Sequence, residues 1–417
     1  MKWTVDSEQL LVGWIKTKLG EVCKKVEYGS SAKSKPQGEI PVLRMGNIQN
    51  GVIDWNDLVY TTDQEEIDKY LLKHNDILFN RTNSADHVGK TAIYKGEKPA
   101  TFAGYLIRIH RKENLIDAEF LNYYLNSTAV REYGKSVMSR SVNQANINGT
   151  KLKEYPIILP PLPEQKRIVA ILDEAFEGID RAIANTDKNL ANSRELFESY
   201  LNAIFTQKGD GWEEKKLEDI CSITSKLVDP RQPDFLDLPH VGAGNMISMT
   251  GELIEVKTAR EEELKSGKFL FDETMVLYSK IRPYLMKSCR PEFSGLCSAD
   301  VYPLLPNNGQ LNRDFLFHLL MSRNFTNYAI AGSDRAGMPK VNRDHLFRYS
   351  TWIPSLSEQI NIAQKIDEIA SETQRLETIY RKKIAALNEL KQSILQKAFT
   401  GELTADTAKT AKEEIAA

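Results

Sequence analysis

At 417 residues, with 27% charged and 41% hydrophobic side chains, the chain has room for about two to four ordinary globular domains. A formal net charge of −2 excludes a general polyanion binder, so any nucleic-acid contact must come from local patches. The start MKWTVDSEQLLVGW is too polar for a signal peptide, and no apolar run is long enough to cross a membrane. Cys23, Cys221, Cys289 and Cys297 have no metal-ligand spacing, so a cytoplasmic protein with reduced thiols is expected.

Residues 1–155 read as a first domain of mixed α+β type. LGEVCKKVEYGSS leads into a basic stretch with Lys33 and Lys35, and IPVLRMGNIQNGVID reads as strand, turn, strand. Asn50-Gly51 is the hairpin signal there, because both residues tolerate positive φ. NDILFNRTNSADHVGKTAIY is an apolar strand running into a polar loop and a second strand. AEFLNYYLNSTAVREYGKSV is an amphipathic helix, and SRSVNQANINGTKL is a polar loop. Residues 156–207 then read as one long helix after Pro160 and Pro161, with Glu164 and Gln165 in its first turn and only Gly178 inside it.

The order then repeats. Residues 208–350 form a second domain, with Gly211-Trp212 answering Gly13-Trp14 and Gly244-Asn245-Met246 answering Gly46-Asn47-Ile48. MPKVNRDHL answers QANINGTKL. Residues 351–401 repeat the long helix, so that a constant offset aligns Pro160 with Pro354, Glu164-Gln165 with Glu358-Gln359 and Phe205-Thr206 with Phe399-Thr400. Residues 402–417 are a small-residue tail expected to be flexible. In the helices Ile168, Leu172, Ile179 and Leu190, then Ile362, Ile366, Ile369, Leu376, Leu387 and Leu390, form a narrow apolar stripe. That is the pattern of a coiled-coil seam, and two matched helices of this kind are expected to lie against each other.

No catalytic constellation stands out. Val88-Gly89-Lys90-Thr91 resembles the end of a phosphate loop, but Ser84 stands where the upstream glycine is needed. Val241-Gly242-Ala243-Gly244 lacks a following βα unit. Asp234, Glu255 and Lys257 have the spacing of a metal-dependent nuclease, and this is the alternative function. A coiled-coil assembly protein would not explain two matched domains with different loop chemistry. DNA recognition fits the polar clusters better, because base edges are read by Arg, Lys, Asn and Gln. In the first domain the candidates are Lys33, Lys35, Arg44, Asn47, Arg81, Thr82 and Asn83, with Arg140, Ser141, Asn143, Gln144 and Asn146 before the long helix. In the second they are Lys226, Arg231, Asn245, Lys280, Arg282, Tyr284, Lys287, Arg335, Lys340 and Asn342. Locally the charge is uneven: residues 12–155 carry 21 basic against 17 acidic side chains, and residues 212–350 carry 18 against 19.

The segment LPPLPEQKRIVAILDE, its second copy IPSLSEQINIAQKIDE, and the variable domain before each resemble the specificity subunit of type I restriction–modification systems, over essentially the whole chain. Ser355 and Ser357 depart from the prolines of the first copy. The resemblance implies two target-recognition domains in a pseudo-twofold duplication, held apart by two long helices packed as an antiparallel coiled coil. It implies a non-catalytic chain whose domains each read half of a bipartite double-stranded DNA target. Its partners would be two modification subunits, docked on the helices with the Glu-Gln pairs near the joints, and restriction/translocase subunits. S-adenosylmethionine, ATP and magnesium would belong to those partners, with none bound by this chain and no membrane involved.

Overall fold

The computed structural model describes residues 11–142, 144–333 and 338–404. Two compact units emerge, one formed by the chain up to Asn185 together with Lys383 onward, the other by Thr186–Lys382. Arg335 and Asn143 lie outside the described residues, as does the tail beyond 404.

In the first unit β1 (Ile15–Lys18) pairs antiparallel with β14 (Pro156–Leu159), which ties the start of the domain to the foot of the long helix. The main sheet runs β2 (Cys23–Tyr28), β11 (Leu106–Arg111), β7 (Asp76–Asn80), β9 (Thr91–Tyr94), β5 (Gly51–Ile53) and β4 (Ile48–Gln49). β7 is buried on both faces from Ile77 to Asn80, which is why its apolar residues run without alternation. Asn50 and Gly51 take φ values of +50° and +85°, so the predicted hairpin joins β4 to β5. One small sheet holds β3 (Ile40–Leu43), β6 (Val59–Thr61) and β10 (Thr101–Phe102). The other holds β8 (Thr82–Asn83), β12 (Ser139–Arg140) and β13 (Ala145–Asn146). The helices are α1 (Leu19–Val22), α2 (Gln64–Tyr70), α3 (Ala118–Asn126), α4 (Thr128–Val137), α5 (Gly149–Lys153) and α6 (Leu162–Thr206). Asp117 caps α3 by accepting from the Phe120 N–H at 3.1 Å, and α3 buries Phe120, Leu121, Tyr124 and Leu125.

The second unit repeats the frame around a different middle. β15 (Glu213–Lys216) pairs with β25 (Ser350–Ile353) as β1 pairs with β14. One sheet holds β16 (Cys221–Ser222), β24 (Val301–Pro306), β21 (Val276–Ser279) and β22 (Ser288–Cys289). The other holds β17 (Leu227–Val228), β20 (Lys268–Phe271), β23 (Gly295–Cys297), β18 (Pro239–Val241) and β19 (Lys257–Thr258). The helices are α7 (Leu217–Ile220), α8 (Arg313–Leu320), α9 (Arg323–Ala331), α10 (Arg343–Phe347) and α11 (Leu356–Thr400). All four cysteines are free and buried, and Cys23 and Cys221 open the matching strands β2 and β16.

Each unit contains part of both long helices. In the first, Phe399 near the end of α11 sits edge-on against Phe120 and Tyr124, with ring centroids 5.4 and 5.0 Å away. Burying such a ring stabilises by about 1.5–3 kcal/mol. Lys391 pairs with Asp180 at 2.8 Å in the first unit, and Arg194 with Glu377 at 2.7 Å in the second. Of the predicted seam, Ile168, Leu172, Ile179 and Ile366 are buried, and Leu190, Ile362, Ile369, Leu376 and Leu387 are half-buried.

Leu390 is a correction, because it is 47% exposed. The seam there runs Ile384, Leu387, Lys391, Ile394 and Ala398. The stem of Lys391 covers the Phe176 ring, its ammonium 4.7 Å from the centroid.

The Glu-Gln pairs have a clear role inside each unit. Gln165 and Gln359 are wholly buried. Gln165 accepts from the Asp117 N–H at 2.8 Å and donates to the Leu115 and Pro160 carbonyls at 2.9 and 2.8 Å. Gln359 does the same with the Asn312 N–H at 2.8 Å and the Gln310 and Pro354 carbonyls, both at 2.9 Å. Each glutamine therefore locks a long helix to the loop that starts α3 or α8. Glu358 accepts from the Trp212 indole at 3.0 Å, and Glu164 faces Arg167 at 3.7 Å.

Candidate nucleic-acid interface

In the first unit the chain leaves β7 through Arg81, whose carbonyl accepts from the Ile147 N–H at 2.9 Å. β8 and β13 then pair Thr82 with Asn146 and Asn83 with Ala145. The two predicted groups, Arg81–Asn83 and Arg140–Asn146, are far apart in sequence and share one small sheet. Arg81 donates to the Gly104 carbonyl at 3.0 Å and lies over the Tyr28 ring at 4.9 Å. Asn146 donates through its amide to the Thr82 hydroxyl at 2.7 Å. Arg140, Ser141 and Gln144 stand exposed on the β12–β13 hairpin, closed by the Ser141 hydroxyl donating to the Gln144 carbonyl at 3.1 Å.

The second unit builds the same junction with other side chains. The Lys280 carbonyl accepts from the Val341 N–H at 2.8 Å, and Ile281 bridges to Lys340. Lys280 donates to the Ala299 carbonyl, as Arg81 does to Gly104, and its ammonium lies 5.1 Å from the Tyr302 ring centroid. Burial pushes the Lys280 pKa down, Lys340 acts in the same sense, and Asp300 opposes both. Asp300 lies 3.5 Å from the Lys280 ammonium and 3.2 Å from that of Lys340. Arg282 follows, exposed, with φ of +50°. With Met286 at +49° it brackets a single turn, Pro283–Leu285, that presents Tyr284 at 53% exposure.

Other predicted residues serve the fold or stand apart. Asn47 is buried; its oxygen accepts from the Arg44 N–H at 2.8 Å and its amide donates to the Asp54 and Asn56 carbonyls, both at 2.9 Å. Asn245 repeats this clamp on the Gly242 N–H at 2.9 Å and on the Ile254 and Glu255 carbonyls at 3.1 Å. Asn342 caps α10 by accepting from the His345 N–H at 2.7 Å. Asn47 and Asn245 spend both ends of their amides on the fold, which removes them from the set free to meet a ligand, whereas Asn342 is exposed and uses its oxygen for the cap. Arg44 pairs with Asp57 at 3.0 Å, Arg231 with Asp229 at 2.8 Å, and Lys287 donates to the Ala243 carbonyl at 2.7 Å. Lys33, Lys35 and Lys226 are exposed. Two neighbours absent from the predicted set, Tyr105 and Asp300, follow the anchoring carbonyls of Gly104 and Ala299. Aligning FAGYL with CSADV would have shown that these two positions match.

The nuclease-like and glycine-rich motifs have other places in the described structure. Asp234, Glu255 and Lys257 are exposed, and among the described residues no group of three or more His, Cys, Asp or Glu could hold a metal ion. Lys90 donates to Gln49 at 3.1 Å, and the buried Thr91 bonds Asn122 at 2.9 Å, so that glycine-containing turn is internal scaffolding. Among the described residues no helix is long and apolar enough to cross a membrane.

Comparison with known proteins adds the family. The family model for the type I restriction modification DNA specificity domain matches residues 12–189 and again 209–386. The EcoDI specificity subunit of Escherichia coli is 34% identical over 47% of this chain, but the match spans only 43% of that relative's length. The EcoKI specificity subunit of Escherichia coli K12 is 25% identical over 88% of this chain and 83% of its own. A chain solved in a study of complex assembly and conformational transition of the type I R-M system aligns over 94% of this chain and 98% of its own. Its TM-score is 0.74 at 18% identity. The HsdS subunit from Thermoanaerobacter tengcongensis gives a TM-score of 0.58 over the same shares, also at 18% identity. At such identity these two likenesses speak for the fold alone.

Proposed function

The chain belongs to the family of the type I restriction modification DNA specificity domain, carried in two copies, and from that premise we propose that it is the DNA-reading, non-catalytic subunit of a type I restriction–modification complex. Each domain reads one half of a bipartite double-stranded target, and the paired helices set the gap between the halves. Modification subunits dock on the helices and supply the S-adenosylmethionine chemistry. Restriction/translocase subunits supply the steps that need ATP and magnesium.

The observation that carries this reading is the junction built twice. Its main-chain bonds repeat from Arg81–Ile147 to Lys280–Val341, while the side chains at its surface change from Arg81, Asn146 and Tyr105 to Lys280, Lys340 and Asp300. A constant frame with variable donors and acceptors is what reading two different half-sites requires. Docking of two like partners is supported by Leu196 and Leu390, repeat-equivalent leucines that stand 72% and 47% exposed on the two long helices.

The test is genome-wide adenine-methylation mapping in cells carrying this chain and its cognate methyltransferase, with and without residues 212–350 exchanged for another domain. A split motif that changes in one half only is expected. A change in both halves, or no split motif at all, would refute the reading.

A further inference from the structure

Asp300 is an acidic side chain drawn into the junction of the second unit, and its surroundings say what it can do. It begins the turn into β24, its N–H donates to the Ser298 hydroxyl at 3.3 Å, and its carbonyl accepts from the Lys280 N–H at 3.0 Å, so its backbone is fixed from two sides. The carboxylate is 46% exposed and touches two ammonium groups from separate segments, Lys280 at 3.5 Å and Lys340 at 3.2 Å. A carboxylate offers about four lone-pair sites, so acceptor capacity remains after both contacts.

The two lysines are not alike. The Lys280 side chain is 12% exposed, donates to the Ala299 carbonyl and lies against Tyr302, so it is committed to the protein. Lys340 is 45% exposed and carries further donors. The accessible pair is therefore one acceptor beside one donor. An ionised carboxylate only accepts, and so do phosphate oxygens, so the spare capacity of Asp300 can be met by donors on base edges and not by phosphate.

In the major groove a C·G pair shows the cytosine N4 amine, a donor, beside the guanine O6 and N7 acceptors. An adjoining carboxylate and ammonium are the complement of that edge. At the matching place in the first unit, Tyr105 and Asn146 offer neither charge, so the two domains differ here in the chemistry that selects a base.

We propose that Asp300 is a specificity-determining residue of the second domain, accepting from the N4 amine of a cytosine while Lys340 donates to its guanine partner. This rests on the DNA-reading function proposed above.

The test uses the full-length chain with its methyltransferase partner in cells, mapping methylated motifs for wild type, Asp300→Asn, Asp300→Ala and Lys340→Met. At one position of the second half-site, preference for C·G over the other pairs falls by about ten- to a hundredfold in each variant. The first half-site and the gap stay unchanged. Asp300→Asn gains adenine at that position, because an amide pairs with adenine N6 and N7.

A wild-type motif persisting in Asp300→Asn overturns the proposal, even where Asp300→Ala abolishes methylation. That combination would mean the side chain only spaces the lysines. Changes in both half-sites overturn it as well. If the wild-type chain gives no split motif, the DNA-reading function itself fails and the proposal falls with it, an outcome separate from all the others.

Discussion

Replacing Gln359 by leucine probes the lock that joins the second domain to its long helix. The side chain is wholly buried, accepts from the Asn312 N–H at 2.8 Å, and donates to the Gln310 and Pro354 carbonyls, both at 2.9 Å. Leucine has about the same volume and leaves one buried donor and two buried acceptors without their partner. An orphaned buried group costs about 1–3 kcal/mol, and carbonyls tolerate this better than N–H groups. Apolar burial of the leucine offsets part of the loss, so a net cost of about 3–4 kcal/mol is expected. The Asn312 N–H lies at the start of α8, where the Asn312 side chain already holds the Asp314 and Phe315 N–H groups at 2.9 Å, so it has no substitute acceptor there. Native-state hydrogen exchange on the full chain reads the effect locally. Protection of residues 313–320 should fall, and that of 118–126 should hold. Gln165→Leu should show the reverse, and the double variant should be additive within about 0.5 kcal/mol. A cost below about 1 kcal/mol, or equal loss in both segments from one substitution, would refute the reasoning.

Changing exposed Lys33 and Lys35 to Gln should weaken DNA binding without altering the motif. The slope of log K against log salt should fall by about 2 units if both meet phosphates, as measured by fluorescence anisotropy across a salt series. Inserting one heptad in the middle of each long helix keeps the seam in register and lengthens each by about 10 Å. The gap of the methylated motif should grow by about three base pairs, whereas a four-residue insertion should lose activity. His318 contacts Asp367 at 3.0 Å; burial pushes its pKa down more than Asp367 raises it. The unfolded chain therefore takes up the proton first, and this contribution to stability is lost as pH falls below about 6.5. Buried His240 adds in the same direction. Hydrogen exchange should show residues 313–320 losing protection between pH 7.5 and 5.5 more than residues 118–126 do, and His318→Tyr, copying Tyr123, should remove His318's share.

Much of the frame was legible because it depends on local chemistry written twice. The Asn50-Gly51 hairpin, the helices after Pro160 and Pro354, and the matched cysteines could all be placed from neighbouring residues. What could not be read was which polar side chains the fold consumes. Asn47 and Asn146 look alike in sequence, yet one is a buried turn clamp and the other sits at the junction. Nor could local pattern show that Arg81 meets Ile147, a non-local pairing set by the sheet. At the seam, Leu390 and Lys391 both satisfy a heptad. Hydrophobicity chose the leucine, and the Phe176 face with Asp180 beside it chose the lysine.

The duplication also explains how the domains can diverge without losing their fold. Where each domain meets its helix, Lys95, Glu119, Tyr123 and Asp173 in the first unit correspond to Arg290, Asp314, His318 and Asp367 in the second. Lys95 pairs with Glu119 as Arg290 pairs with Asp314, and Tyr123 donates to Asp173 at 2.6 Å where His318 meets Asp367. Here side chains carry the bond, so charge and hydrogen-bonding roles are kept when residues change. At the junction the bonds shared by both units include main chain to main chain ones, Ile147 N–H to Arg81 and Val341 N–H to Lys280. A substitution of Lys340 leaves those bonds intact and gives up only a half-exposed ion pair with Asp300, so its effect on stability should stay within about 1 kcal/mol. The position best placed to select a base is thus also the one where change costs the fold least.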